Sequence, residues 1–153
     1  MKFSYTEFKT AERGLLILPH GRGANFKPSD FMLTTSEVAM IRIRDQDMEF
    51  MPLMGHYGHL LELVFDDCAP EDQDLDAFTA AQAQQATDFF KSIEAAGVKL
   101  LVVHCQIGVS RSPAIGIAYA RFLEDSTLEL LIRDSKQYVP NVHVLKTMEL
   151  INV

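Results

Sequence analysis

The sequence predicts an α/β fold with a central, mostly parallel sheet flanked by helices. Three observations carry that reading. Residues 98–104, VKLLVVH, are continuous in Val and Leu, as a strand covered on both faces requires. Three shorter apolar runs lie upstream of it. A long segment with apolar residues three to four apart separates those runs from the buried strand, and only helical patterns follow it. Strands, a long helix, a buried strand and further helices are the order that a layered sheet with covering helices produces.

The elements follow in order. GLLIL, residues 14–18, is short and apolar and reads as a strand, and the turn-rich PHGRGANFKPSD after it reads as a loop. VAMIRIRD, residues 38–45, alternates apolar and basic residues near its end and reads as a strand with one wet face, or its exit. LLELVF, residues 60–65, is a third strand, broken by the acids and proline of DDCAPEDQD. Over residues 75–96 the spacing predicts a helix, with Phe78, Ala81, Gln85, Phe89, Ile93 and Ala96 along one stripe and Gly97 where a C-terminal cap belongs. SPAIGIAYARFLED reads as a helix opened by Pro113. TLELLIRDSKQY and NVHVLKTMELIN read as two more, separated by Pro140. Residues 1–37 carry no motif.

A length of 153 residues fits one domain spanning 1–153, and 48% hydrophobic with 23% charged residues predicts a packed core. No apolar run is long enough to span a membrane, and the N-terminus lacks a signal-peptide pattern, so the expected location is cytoplasmic. There Cys68 and Cys105 stay reduced and form no disulfide framework. The net charge of -7 argues against nucleic acid or an anionic membrane as partner.

The chemistry concentrates at LLVVHCQIGVSRSPA, residues 100–114, where the buried strand ends in His104 and Cys105 and a helix opens seven residues on. A strand, a tight loop and a helix start make an anion cradle: backbone N–H groups from Gln106 through Arg111 can converge on one point, helped by the unpaired donors of the helix. Gly108 lets the loop turn. Arg111 adds a planar fork for two oxygens of a tetrahedral anion. The same donors favour a thiolate at Cys105, which would lie beneath a bound phosphorus and attack it. A buried cysteine alone is an ordinary small hydrophobe. It is the combination with His, Gly, Arg-Ser and a helix-opening Pro that points to phosphoryl transfer.

VHCQIGVSRSPA resembles the signature of the protein tyrosine phosphatase superfamily, His-Cys, five residues, Arg, then Ser or Thr, and is most similar to the loops of dual-specificity and small bacterial tyrosine-phosphatase-like proteins. The resemblance is sharp over roughly residues 98–124 and looser from LVFDD to VPNVHVL. It implies a fold of the cysteine-phosphatase type with a signature loop at 104–112. Cys105 would be the nucleophile and form a thiophosphate intermediate. Arg111 would bind phosphate and stabilise the transition state, and Ser112 would hydrogen-bond the sulfur. Gln106, Ile107, Gly108, Val109 and Ser110 would supply backbone donors, with His104 ordering the loop from behind. It further implies an aspartate as general acid on a loop before the long helix. Asp66 or Asp67 can serve, and Asp67, further past the strand end, is preferred.

No metal and no cofactor are expected, since the loop and Arg111 neutralise the dianion. The expected partners are a phosphorylated protein or a small phosphomonoester, with inorganic phosphate or sulfate at the loop; the chain itself is expected to be a monomer. The loop has no lysine, unlike those of relatives that act on inositol phosphates, which favours a single phosphate such as phosphotyrosine. Two other readings remain: a non-catalytic phosphate-binding module, and a rhodanese-like sulfur transferase, whose usual loop is a residue shorter.

Other residues read more plainly. Cys68 could meet Cys105 in a protective disulfide, although two such cysteines more often never meet. Gly21 and Gly23 lack the dinucleotide spacing and read as a turn. Arg22, Arg42 and Arg44 read as solvated surface, with Arg42 and Asp45 as a local ion pair. Asp72, Asp74 and Asp76 read as a solvated loop, His56 and His59 as surface, and the methionines as core.

Overall fold

The computed structural model describes residues 6–9 and 13–151. Five strands form one sheet in the order β1-β2-β5-β3-β4: β1 (Thr6–Lys9), β2 (Gly14–Pro19), β3 (Val38–Arg44), β4 (His59–Val64) and β5 (Leu100–Cys105). β2, β5, β3 and β4 run parallel, and β1 adds an antiparallel edge to β2. β5 is the middle strand. Leu101 faces Leu15 of β2 on one side and Ala39 of β3 on the other. All six β5 residues are buried, which explains the unbroken Val/Leu run. β1 had no signal in the sequence.

Alternate side chains split the core into two layers. Leu15, Ile17, Ile41, Leu101, Val103 and Cys105 face the helices α2 (Ala80–Ala95), α3 (Arg111–Phe122), α4 (Ser126–Arg133) and α5 (Val142–Ile151). Leu16, Leu18, Met40, Leu100 and Val102 face Phe26, which follows the short helix α1 (His20–Asn25). Residues 111–120 of α3 are all buried, so this helix is apolar around its circumference rather than along one stripe.

Several expectations are corrected. PHGRGANFKPSD is not a loop throughout: residues 20–25 form α1 and Pro28–Phe31 a 3-10 turn. Gly23 serves a close approach rather than a turn, because a Cβ there would lie 2.4 Å from Cδ2 of His104. α2 starts at Ala80 because Thr79 and Gln82 form a reciprocal capping box. Its buried stripe is Ala83, Ala86, Thr87, Phe90 and Ile93, while Ala81, Gln85 and Ala96 are exposed. Gly97, at φ 76°, does sit just past the helix end. α4 ends at Arg133, short of Tyr138. β3 has no wet face: six of its seven residues are buried, Arg42 included. Met40 and Met148 are core, but Met32, Met51 and Met54 are exposed.

Candidate active site

β5 delivers His104 and Cys105 to opposite faces of the sheet at its C-terminal end, and α3 begins at Arg111. The segment between them is held from outside. Its carbonyls are taken by donors of other segments: His20 N–H donates to Gln106 O at 3.2 Å, Val139 N–H to Val109 O at 2.9 Å and Asn141 N–H to Ser110 O at 3.1 Å. With those carbonyls turned outward, the loop is free to turn N–H groups inward. The Gly108 N–H donates to the Cys105 sulfur at 3.3 Å. Gly108 has φ 82°, and a Cβ there would lie 2.9 Å from the Leu18 carbonyl carbon, so both conformation and space require glycine.

The thiol lies at the floor of a cleft of ≈ 750 Å³, lined also by Gln106, Ile107, Val109, Ser110 and Arg111. Ser112, fully buried, has its hydroxyl 3.1 Å from the Cys105 sulfur. Ser110 is the N-cap residue of α3 but does not cap it. Its hydroxyl instead donates to Asp67 Oδ1 at 2.8 Å. The first N–H groups of α3 therefore have no side-chain cap, the condition under which a helix start attracts an anion.

Arg111 is 4% exposed and its aim is fixed by two bonds from Nη1, to Asp45 Oδ1 at 2.6 Å and to the Phe65 carbonyl at 2.8 Å. Its Nε is buried with no hydrogen-bond partner. A buried unpaired donor of a charged group is costly. Asp45 thus pairs with Arg111 and not with Arg42, which corrects the expected local pair.

The two candidate acids part company. Asp66 is 5% exposed and accepts from the Gln46 N–H, the Gln46 side-chain amide and the Asp76 N–H. Burial pushes its carboxyl up, but the bonds from Asp76 and Gln46, then the charge of Arg111, outweigh it and hold it below the usual carboxylate range. Asp66 frames the rim as an acceptor. Asp67 is exposed and lines the cleft; its Oδ1 takes bonds from Ser110 and from Asn141 Nδ2, leaving Oδ2 outside both.

Behind the loop, His104 is fully buried and stacks on His20 with ring centroids 5.0 Å apart. Arg42 Nε donates to His104 Nε2 at 2.9 Å, so the ring accepts at Nε2 and keeps its proton on Nδ1. Burial, then the charges of Arg42 and His20, depress the His104 pKa to about 3. Arg42 is therefore a buried strut rather than solvated surface; it also lies over the Phe50 ring and 3.5 Å from Glu62. Arg22 is exposed, as expected.

Gln46, His20 and Asn141 have no place in the sequence reading, which takes Arg42 and Asp45 only as surface and a local ion pair. Asn141 alone had a local signal, an amide just after Pro140 at the start of a helical pattern; its Oδ1 accepts from the Val144 N–H. Cys68 and Cys105 are both free thiols, and Cys68 does not line the cleft. Burial raises the Cys68 thiol, and the surrounding aspartates, Asp66 first, raise it further. Among the described residues no cluster of His, Cys, Asp or Glu could hold a metal ion, and no helix is long and apolar enough to cross a membrane.

No family model matches the chain, and no curated protein matches it. Solved structures do. A human tyrosine phosphatase-like serine/threonine/tyrosine-interacting protein is 20% identical over 90% of each chain, with a TM-score of 0.59. Human DUSP28 is 17% identical over 91% of this chain and 90% of its own, with a TM-score of 0.60. PTPMT1 in complex with PI(5)P is 16% identical over 89% and 88%, with a TM-score of 0.53. At these identities the likeness is one of fold. The chain has the fold of dual-specificity and tyrosine phosphatases.

Proposed function

We propose that residues 1–153 act as one catalytic domain, a cysteine-dependent phosphomonoester hydrolase of the tyrosine or dual-specificity type. One observation carries the reading: the Cys105 sulfur, bonded by Ser112 and by the Gly108 N–H, shares a cleft floor with Arg111, whose buried Nε has no partner. In the first step the sulfur attacks phosphorus and the ester P–O bond breaks. Asp67 gives its proton to the departing oxygen, while Arg111 and the loop N–H groups hold the phosphoryl oxygens. In the second step water attacks the thiophosphate, returns a proton to Asp67 and releases inorganic phosphate. The Ser112 hydroxyl donates to the sulfur as the S–P bond breaks. No cofactor takes part.

Phosphotyrosine is the preferred substrate in this reading, because the loop has no lysine for a second phosphate. A thiol nucleophile must stay reduced, so we place the protein in the cytoplasm, working as a monomer. The competing reading is a phosphate-binding module without turnover; it draws on the neighbour named as phosphatase-like and interacting. Hydrolysis of an aryl phosphate without added metal, by the wild type and by Cys105→Ser, separates the two. The wild type turns over and the variant does not, yet the variant still binds phosphate; more than a few per cent of activity in the variant would sink the thiolate mechanism.

A further inference from the structure

We propose that this cleft selects phosphotyrosyl segments of proteins in which cationic residues flank the phosphotyrosine. The inference rests on the phosphatase reading for the phosphate site and adds what the substrate carries around it. The floor and the rim of the cleft have opposite electrostatics. Arg111 is the one cation among the lining residues, whereas Asp45, Asp47, Asp66, Asp67 and Asp74 all line it. Three of these acids have work within the fold: Asp45 holds Arg111, Asp66 accepts from Gln46 and Asp76, and Asp67 accepts from Ser110 and Asn141.

Asp47 and Asp74 do not. Both are exposed, and among the described residues neither makes an ion pair. The rim beneath Asp74 is anchored, since the Gln46 amide bridges Asp66 Oδ2 and the Asp74 carbonyl. The unpartnered Arg111 Nε below is what draws the phosphate past this rim.

A bare or multiply phosphorylated anion meets repulsion from Asp47 and Asp74 and gains no attraction from the rim. A substrate with Lys or Arg beside its phosphorylated residue offsets that repulsion and gains two ion pairs. Leu75, 47% exposed, and Ile107, 71% exposed, put apolar surface in the same cleft, suited to the ring of a phosphotyrosine between phosphate and flank. The chain's net charge of -7 adds a long-range field of the same sign. An inositol phosphate headgroup would set its extra phosphates against the rim.

The test uses three phosphotyrosyl peptides identical except for Lys, Ala or Glu on both sides of the phosphotyrosine. Calorimetry with Cys105→Ser at low salt is expected to give a Kd about tenfold lower for the Lys peptide than for the Glu peptide. The same order is expected in kcat/KM of the wild type. The gap should close to about twofold in Asp47→Asn combined with Asp74→Asn, and likewise at about 0.5 M salt. Equal Kd values, tighter binding of the Glu peptide, or tighter binding of a soluble inositol phosphate would overturn the inference. Aryl phosphate hydrolysis by the same wild-type preparation keeps the two readings apart. Ranked binding without turnover removes the phosphatase reading and retains charge selection; turnover without ranking removes charge selection alone.

Discussion

His104 makes the stability of the fold depend on pH. Its folded pKa is depressed to about 3 by burial and by the charges of Arg42 and His20, against 6.5 for the free side chain. Between those values the unfolded chain binds a proton that the folded chain refuses, so stability rises with pH. The contribution is complete above 6.5 and is lost progressively as pH falls toward 3. At about 1.4 kcal/mol per pH unit, going from pH 6.5 to pH 5 removes about 2 kcal/mol. His20, also depressed by burial and by Arg42, acts in the same direction. The carboxylates of Asp66 and Glu37 are held low by hydrogen bonds, and their contribution to stability is lost only as pH falls below the unfolded values of 3.8 and 4.5, under the pH 7 to 5 range of the test. Urea unfolding at pH 7, 6 and 5 should show the midpoint falling by about 1 M, for a slope of roughly 2 kcal/mol per M. His104→Gln keeps an acceptor for Arg42 but cannot titrate, so its midpoint should fall much less over the same range. A wild-type midpoint that does not move between pH 7 and 5, or an equal fall in the variant, would refute the account of a neutral, buried His104.

Three further outcomes are expected. Asp45→Asn leaves the Arg111 guanidinium with the Phe65 carbonyl as its remaining anchor, and kcat/KM on an aryl phosphate should fall about 10–100-fold; steady-state kinetics with an unchanged value would make Asp45 a bystander. Asp67→Asn should lower kcat about 10²–10⁴-fold and flatten the alkaline limb of the pH–rate profile, least for leaving groups that depart without a proton; Asp66→Asn should keep the profile and instead cost about 1–3 kcal/mol of stability through its lost acceptor bonds. Alkylation should inactivate through Cys105 before Cys68, whose thiol is pushed up by burial and by neighbouring aspartates, and phosphate should protect; mass mapping that finds Cys68 modified first, with activity already lost, would contradict this.

What could be read from the sequence was what is local in the chain. The run from Leu100 to Arg111 encodes strand, loop and helix start within a dozen consecutive residues, and the sheet's parallel character follows from the unbroken apolarity of β5. α1 was not legible, because HGRGAN has two glycines and no apolar period; its buried Gly23 is set against a histidine far along the chain. The α2 stripe was misphased because Phe78, though buried, precedes the helix and so was counted into the wrong register. Arg42 and Asp45 were misassigned for a common reason. A charged residue reads as surface until its partner is known, and the partners, His104 and Arg111, lie 62 and 66 residues away.

The central place of β5 also sets the order in which the protein can assemble. On the ribosome β2 and β3 emerge long before the strand that must lie between them, and parallel neighbours so far apart in sequence pair slowly. Until Cys105 has been synthesised, both strands carry open, apolar edges of the kind that invite pairing with other chains. Cys105 is thus on the last strand to be synthesised, and a nascent chain cut short before it has neither that thiol nor a closed sheet. Aggregation of incomplete chains is the hazard that comes with this topology.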